Sequence, residues 1–258
     1  MPAHDLPLLL DAARKAGEVA CGFAGATAQR WDKPDDAGPV TEADLAVNDL
    51  LHDALRGARP DYGWLSEETE DNAERLDKRR VFIIDPIDGT RSFVEGSDTW
   101  AHSLAVAEDG IVTAAVVYLP RRDRLYAAAR GQGATLNGAP MRASHVSALA
   151  DAEVLAARPA LALHHWRAET LPTFRRAYRP SLAYRLALVA EGAYDAMLTL
   201  RRSWEWDIAA GALIIAEAGG IVSDRRGAPL RFNNDDPRLD GVVAGGAALH
   251  GKLCDALA

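Results

Sequence analysis

Apolar residues recur at helical spacing from Leu8 to Phe23, which predicts an amphipathic helix packed on the body of the protein. The polar stretch Trp31 to Pro39 reads as a loop. A second helix is predicted to start at Thr41, a capping residue with Glu42 and Asp44 in the first turn. It would bury Ala43, Ala46, Val47, Leu50, Leu51, Ala54 and Leu55 and end near Gly57. Trp64-Leu65 reads as a short strand running into an acidic loop, and the continuous apolar run Val81 to Ile84 as an interior strand. From Ala101 to Met141 strand-like runs alternate with the turn pairs Asp109-Gly110 and Asn137-Gly138, the pattern of antiparallel hairpins. The second half predicts a helix over Leu182 to Glu191, a strand over Ala196 to Leu200, and a helix over Ile208 to Ala218 stopped by Gly219-Gly220. Strands follow near Ile221 and Val242. Mixed sheets with helices between them indicate an α/β fold, an α+β layered sandwich. With no repeat, low-complexity segment or linker, the chain is expected to form one domain over residues 1–258.

Charge narrows the partners. The formal net charge of -8 argues against nucleic acid and against an anionic membrane surface. Cys21 and Cys254 make neither a metal-ligand spacing nor a disulfide framework, which suits a reducing cytoplasm, and both read as small apolar fillers. The first residues have no basic region and long apolar core of an export signal, and no membrane span is expected.

Candidate chemistry centres on Asp85-Pro86-Ile87-Asp88-Gly89-Thr90, at the end of the interior strand. Asp85, Asp88 and the Ile87 carbonyl can converge on one point, and an oxygen-only donor set suits a hard cation such as Mg²⁺. Gly89 permits close backbone approach, and the N–H groups of Gly89 and Thr90 at a helix start would favour a phosphate. In isolation, the same residues read equally well as a turn and a helix cap. Two further acidic stations, Glu67-Glu68 after Trp64-Leu65 and Asp207 after Trp206, favour the metal reading. Among the histidines, His164-His165 reads as surface and His102 as a hydrogen-bonded structural residue, and neither a nucleophile elbow nor a P-loop is present.

Together the segments around Thr41 to Asp44, Ser66 to Thr69, Asp85 to Phe93 and Glu205 to Gly220 resemble the four signatures of the inositol monophosphatase superfamily, the Mg²⁺-dependent, lithium-sensitive phosphatases. The resemblance covers essentially the whole chain. It implies an N-terminal metal-binding half (about 1–140) and a C-terminal substrate-lining half (about 141–258). It further implies that Glu67, Asp85 and the Ile87 carbonyl hold one Mg²⁺, and that Asp85, Asp88 and Asp207 hold a second. Asp44 would stand outside them, near a third, weaker ion. Glu67, Thr90 and Asp44 would serve catalysis by positioning and deprotonating the attacking water, with Gly89 and Thr90 seating the phosphate and no protein nucleophile. A homodimer is expected, dimers being common in the family.

Substrate choice rests on fewer residues. Inositol-specific members of the family carry a glutamate where this chain has Leu200, and an unpaired hydroxyl there would cost about 1–3 kcal/mol. Arg91, the triplet Glu205-Trp206-Asp207, and Arg201-Arg202 look more like the 3′(2′),5′-bisphosphate nucleotidase branch, whose substrate is adenosine 3′,5′-bisphosphate. On that reading Asp88, Ser181, Arg201, Arg202 and Asp207 contact the substrate. Histidinol-phosphate phosphatases also place Arg after Gly-Thr, and the family's usual Gly-Ser stands here as Pro180-Ser181. Inositol 1-phosphate and histidinol phosphate are therefore the alternative substrates, and a non-catalytic binding or regulatory protein is the alternative of another class.

Overall fold

The computed structural model describes residues 5–23, 25, 27–32 and 38–258. Helix α1 (Leu6–Gly22) and helix α2 (Glu42–Ala58) carry their apolar stripes as the periodicity predicts, with Leu9, Ala13 and Ala16 of α1 and Val47, Leu51 and Leu55 of α2 buried. Thr41 caps α2 in a reciprocal box with Asp44. The segment read as a loop is flanked by a short ribbon, β1 (Arg30–Asp32) paired with β2 (Pro39–Thr41); residues 33–37 of that reading lie outside the described residues.

Strands β3 (Gly63–Ser66), β4 (Arg80–Asp88), β5 (Ala101–Glu108), β6 (Ile111–Leu119), β7 (Arg124–Ala129), β8 (Ala134–Leu136) and β9 (Ala139–Pro140) form one sheet in that order. Its first pair is parallel and the rest antiparallel. The predicted turn pairs close two of its hairpins: Asp109-Gly110 and Asn137-Gly138 all have positive φ, which a tight hairpin turn requires. A second sheet has the order β11-β10-β12-β16-β14, from β10 (Glu153–Ala156), β11 (Arg175–Ala177), β12 (Ala196–Thr199), β14 (Gly220–Ser223) and β16 (Val242–Gly246). A small ribbon joins β13 (Ser203–Trp204) to β15 (Arg238–Leu239).

Alternation along the strands sorts the core. Phe82 and Ile84 face α1 and α2, whereas Val81 and Ile83 face helices α4 (Leu182–Ala190) and α5 (Glu205–Glu217). Met197 and Ala244 close the far side of α4 and α5, while Leu198 and Val243 turn outward to α6 (Ala247–Ala256). The layers therefore run helices, sheet, helices, sheet, helix. Because α5 lies between two sheets it is apolar nearly all round, which explains why it is buried from Ile208 through Ile215. It begins three residues before the predicted Ile208 start, placing Glu205 and Asp207 in its first turn.

Candidate metal centre and active site

Three chain segments meet where β4 ends. Gly89, in the left-handed region at φ 98°, turns the chain from β4 into the short helix α3 (Thr90–Val94). Ser103, opposite Asp85 in the β4–β5 ladder, donates to the Trp206 carbonyl at 2.7 Å, which ties the first turn of α5, and with it Asp207, to the end of β4. Strand β3 ends beside β4, and the backbone N–H of Glu67 donates to the Ile84 carbonyl.

Carboxylate oxygens of Asp85, Asp88 and Asp207 consequently lie within 4.8 Å of one another. Asp85 is buried, and no N–H or hydroxyl among the described residues donates to either of its oxygens. Burial and the neighbouring carboxylates of Glu67, Asp88 and Asp207 push its pKa well above the usual carboxylate range. Asp207 is raised by burial, Asp88 and Glu67, opposed by Arg201 and by its own close approach to the Asp85 carboxyl, with which it can share a proton. Asp88 is pushed up to about 6 by burial, although its Oδ2 accepts from the Ser181 hydroxyl at 2.7 Å and from the Ala183 N–H at 2.6 Å. Two ionised carboxylates cannot share a hydrogen bond, so this cluster calls for a shared proton or a cation. Buried oxygens without donors and an all-oxygen set fit a hard divalent cation.

Thr90 and Asp44 form the adjoining wall. The Thr90 hydroxyl contacts Asp44 Oδ1 at 3.1 Å and the Ile87 carbonyl at 3.2 Å. Asp44 Oδ2 accepts from the Thr41 N–H at 2.8 Å and the Thr41 hydroxyl at 2.5 Å. Burial raises the Asp44 pKa in spite of these bonds. Asp44 thus caps α2 and holds Thr90 at once.

A cavity of about 500 Å³ opens over these groups and includes Glu67, Asp88, Gly89, Thr90, Ser181 and Asp207 in its lining. A larger cavity of about 660 Å³ lies between α1 and strands β6 to β8, apart from the carboxylates.

Substrate-side expectations fare unevenly. Arg91 and Arg201 line the cavity. Arg202 does not: its guanidinium is paired with Asp236 at 2.5 Å on the exposed surface, which corrects its expected place at the substrate. Leu200 is also redirected, since its side chain packs with Leu198 and Trp166 in the outer core, and Thr199 faces the cavity instead. Glu205, fully buried, accepts from the N–H groups of Asn233 and Asn234 and from the Asn234 amide, so it fastens a loop and does not reach the cavity. Ser181 lines the cavity at φ 63°, capping α4 while donating to Asp88.

Arg185 escaped the sequence reading. Its side chain lines the cavity, stacks over the Tyr178 ring with 4.6 Å to the centroid, and donates from Nε to the Arg179 carbonyl at 2.5 Å. Its place on the first turns of α4, one turn after Ser181, was the available signal. His102 is completely buried, as expected, whereas of the pair expected on the surface His164 is exposed and His165 is half-buried. Among the described residues no helix is long and apolar enough to cross a membrane.

The sequence profile described as the inositol monophosphatase family matches residues 4–258. The chain is 35% identical over 231 residues to an inositol-1-monophosphatase of Mesorhizobium japonicum, covering 84% of this chain and 82% of that protein. It is 35% identical over 265 residues to the histidinol-phosphatase of Mycobacterium tuberculosis, covering 98% and 97% of the two chains. In structure it is similar to the extragenic suppressor protein suhB of Bartonella henselae, with a TM-score of 0.81, 31% identity and 96% of each chain covered. A match that runs from before the first helix to the last residue leaves no part of the fold unaccounted for, and the protein belongs to the inositol monophosphatase family.

Proposed function

We propose that the chain is a Mg²⁺-dependent phosphomonoesterase acting on a small phosphorylated metabolite. The observation that carries this reading is Asp85: a buried carboxylate to which no N–H or hydroxyl among the described residues donates, facing two further carboxylates. Asp85 would be shared between two ions, with Glu67 and the Ile87 carbonyl on one side and Asp88 and Asp207 on the other. When bound, the ions supply positive charge to the phosphate and the leaving oxygen and make water more acidic. The protein's own part is positional. The Thr90 hydroxyl has one proton and two acceptors, Asp44 and the Ile87 carbonyl, so its lone pairs remain to take a hydrogen bond from the attacking water. Asp44 stands behind Thr90 as the acceptor to which that proton can pass, and Glu67 orients the water from the β3 end. The N–H groups of Gly89 and Thr90 seat the phosphate.

For the substrate, Arg91, Arg185 and Arg201 around one cavity favour an ester carrying a second anionic group, and we assign adenosine 3′,5′-bisphosphate as the best fit. The same cations disfavour histidinol phosphate, whose ammonium they repel. Inositol 1-phosphate stays as the second reading, favoured by the Mesorhizobium japonicum relative and by the Thr199 hydroxyl in the lining.

Phosphate release from adenosine 3′,5′-bisphosphate, inositol 1-phosphate and histidinol phosphate, each with MgCl2 and with EDTA, tests both levels. Mg²⁺-dependent turnover with the highest kcat/KM on the bisphosphate is expected. Turnover indifferent to EDTA overturns the metal assignment, whereas a preference for either other ester overturns only the second-anion assignment.

A further inference from the structure

Residues three apart on an unbroken strand project to opposite faces of the sheet. Asp85 and Asp88 nevertheless meet. The pairing of β4 with β5 shows how: Asp85 pairs with Ser103 and Asp88 with Ala101, so Pro86 and Ile87 together oppose the single residue His102. That extra residue is a β-bulge, and it turns Asp88 onto the side occupied by Asp85.

His102 sits at the bulge and holds it. Its Nδ1 donates to the Pro86 carbonyl, and its ring is completely buried, edge-on to Trp100 with 5.5 Å between ring centroids. A carbonyl can only accept, so Nδ1 carries the proton; burial lowers the ring's pKa to about 4, which keeps it neutral. Nε2 is then a bare acceptor with no partner among the described residues. An apolar side chain would fill the same space without stranding a nitrogen. What the imidazole adds is a side-chain donor to the Pro86 carbonyl.

We propose that His102 is a positioning residue for the metal centre: by holding the Pro86 carbonyl it fixes the bulge that brings Asp85, the Ile87 carbonyl and Asp88 together, and thereby sets the affinity for the divalent cation. The assignment rests on reading Asp85 and Asp88 as cation ligands.

The test is calorimetric titration of EDTA-treated, desalted protein with Mg²⁺, for the wild type, His102→Leu and His102→Asn. Leu removes the donor, and its Mg²⁺ affinity is expected to fall roughly ten- to hundredfold, the usual effect of losing a group that orients a ligand. Its kcat at saturating Mg²⁺ should change little. Asn can place an amide N–H where Nδ1 stands, so it should retain most of the affinity although it fills less of the core. Leu binding Mg²⁺ as tightly as the wild type, or Asn losing as much as Leu, overturns the proposal. Failure of the wild type itself to bind Mg²⁺ overturns the ligand assignment instead. Nitrogen-15 NMR of the wild-type ring gives a measurement independent of any variant's folding: a proton on Nδ1 with bare Nε2 is expected, and a proton on Nε2 overturns it.

Discussion

Replacing Asp85 by Asn should make the metal-free protein more stable while abolishing its response to Mg²⁺. The side chain keeps its volume, loses its charge, and gains an amide donor toward Asp88 and Asp207. Carboxylate oxygens within 4.8 Å repel by about 3 kcal/mol for each ionised pair at an effective dielectric constant of ~20. Partial protonation already relieves some of this in the wild type, which leaves about 2–4 kcal/mol for the substitution to recover at neutral pH. At ~2–4 °C per kcal/mol for a chain of this size, the variant in EDTA should melt roughly 5–15 °C above the wild type. Mg²⁺ at a hundredfold excess over its dissociation constant should add about 2.7 kcal/mol to the wild type and little to the variant. Turnover should fall by orders of magnitude. Scanning calorimetry of both proteins in EDTA and in MgCl2, with phosphate release measured alongside, is the assay. A variant no more stable than the wild type in EDTA, or one that Mg²⁺ stabilises equally, would refute the shared-ligand argument.

Asp88 gives a pH dependence whose sign is fixed. Its folded pKa of about 6 lies above the ordinary 3.8, so the folded state binds more protons between those values and metal-free stability should fall as pH rises through them, by at most roughly 3 kcal/mol from this group. Urea unfolding in EDTA across that range checks the slope, which Mg²⁺ should diminish. Arg202→Ala removes only an exposed ion pair with Asp236 and should leave KM for every ester unchanged, whereas Arg185→Ala should raise KM for a bisphosphate more than for a monophosphate; steady-state kinetics on matched esters decides. Gly211→Ala puts a Cβ 2.4 Å from the Leu186 Cβ between α5 and α4, and should destabilise by about 1–3 kcal/mol in chemical denaturation.

How much of this could be read from the sequence depended on the kind of residue. Val81 to Ile84 announced a buried strand because both of its faces are covered by helices, and Asp109-Gly110 and Asn137-Gly138 announced hairpins because few other pairs accept two positive φ values. The carboxylates at Asp85, Asp88 and Asp207 stood out because charge at the ends of apolar segments is costly without a reason. Side-chain direction was less legible. Arg201 and Arg202 are neighbours of like charge, yet only the first faces the cavity, and Thr199 and Leu200 divide in the same manner. The split continues the alternation of β12, in which Met197 faces inward and Leu198 outward, and which face turns inward is set only when the sheet packs on α4 and α5. Arg185 was hidden for the converse reason, since it lies on a helix that is otherwise apolar and its relation to Asp88 exists only after α4 docks. Glu205 looked like part of a substrate triplet because its loop partners, Asn233 and Asn234, are far away in the chain.

The carboxylates of the site are not equally provided for, and the inequality has a direction. Asp44 has three hydrogen-bond contacts, from the Thr41 N–H, the Thr41 hydroxyl and the Thr90 hydroxyl, and is fixed as a helix cap. Both protein donors to Asp88 fall on Oδ2. Asp85 has no N–H or hydroxyl donor on either oxygen among the described residues. A protein that merely tolerated buried carboxylates would supply donors to each of them, because an unpartnered buried charge destabilises the fold. Here Asp85, as buried as the well-provided Asp44, receives no N–H or hydroxyl donor among the described residues, so the fold gives up stability at the carboxylate that two cations would share. That gradient supports the bridging role proposed for Asp85 independently of any resemblance, and it explains why the same substitution should strengthen the empty fold and disable the loaded one.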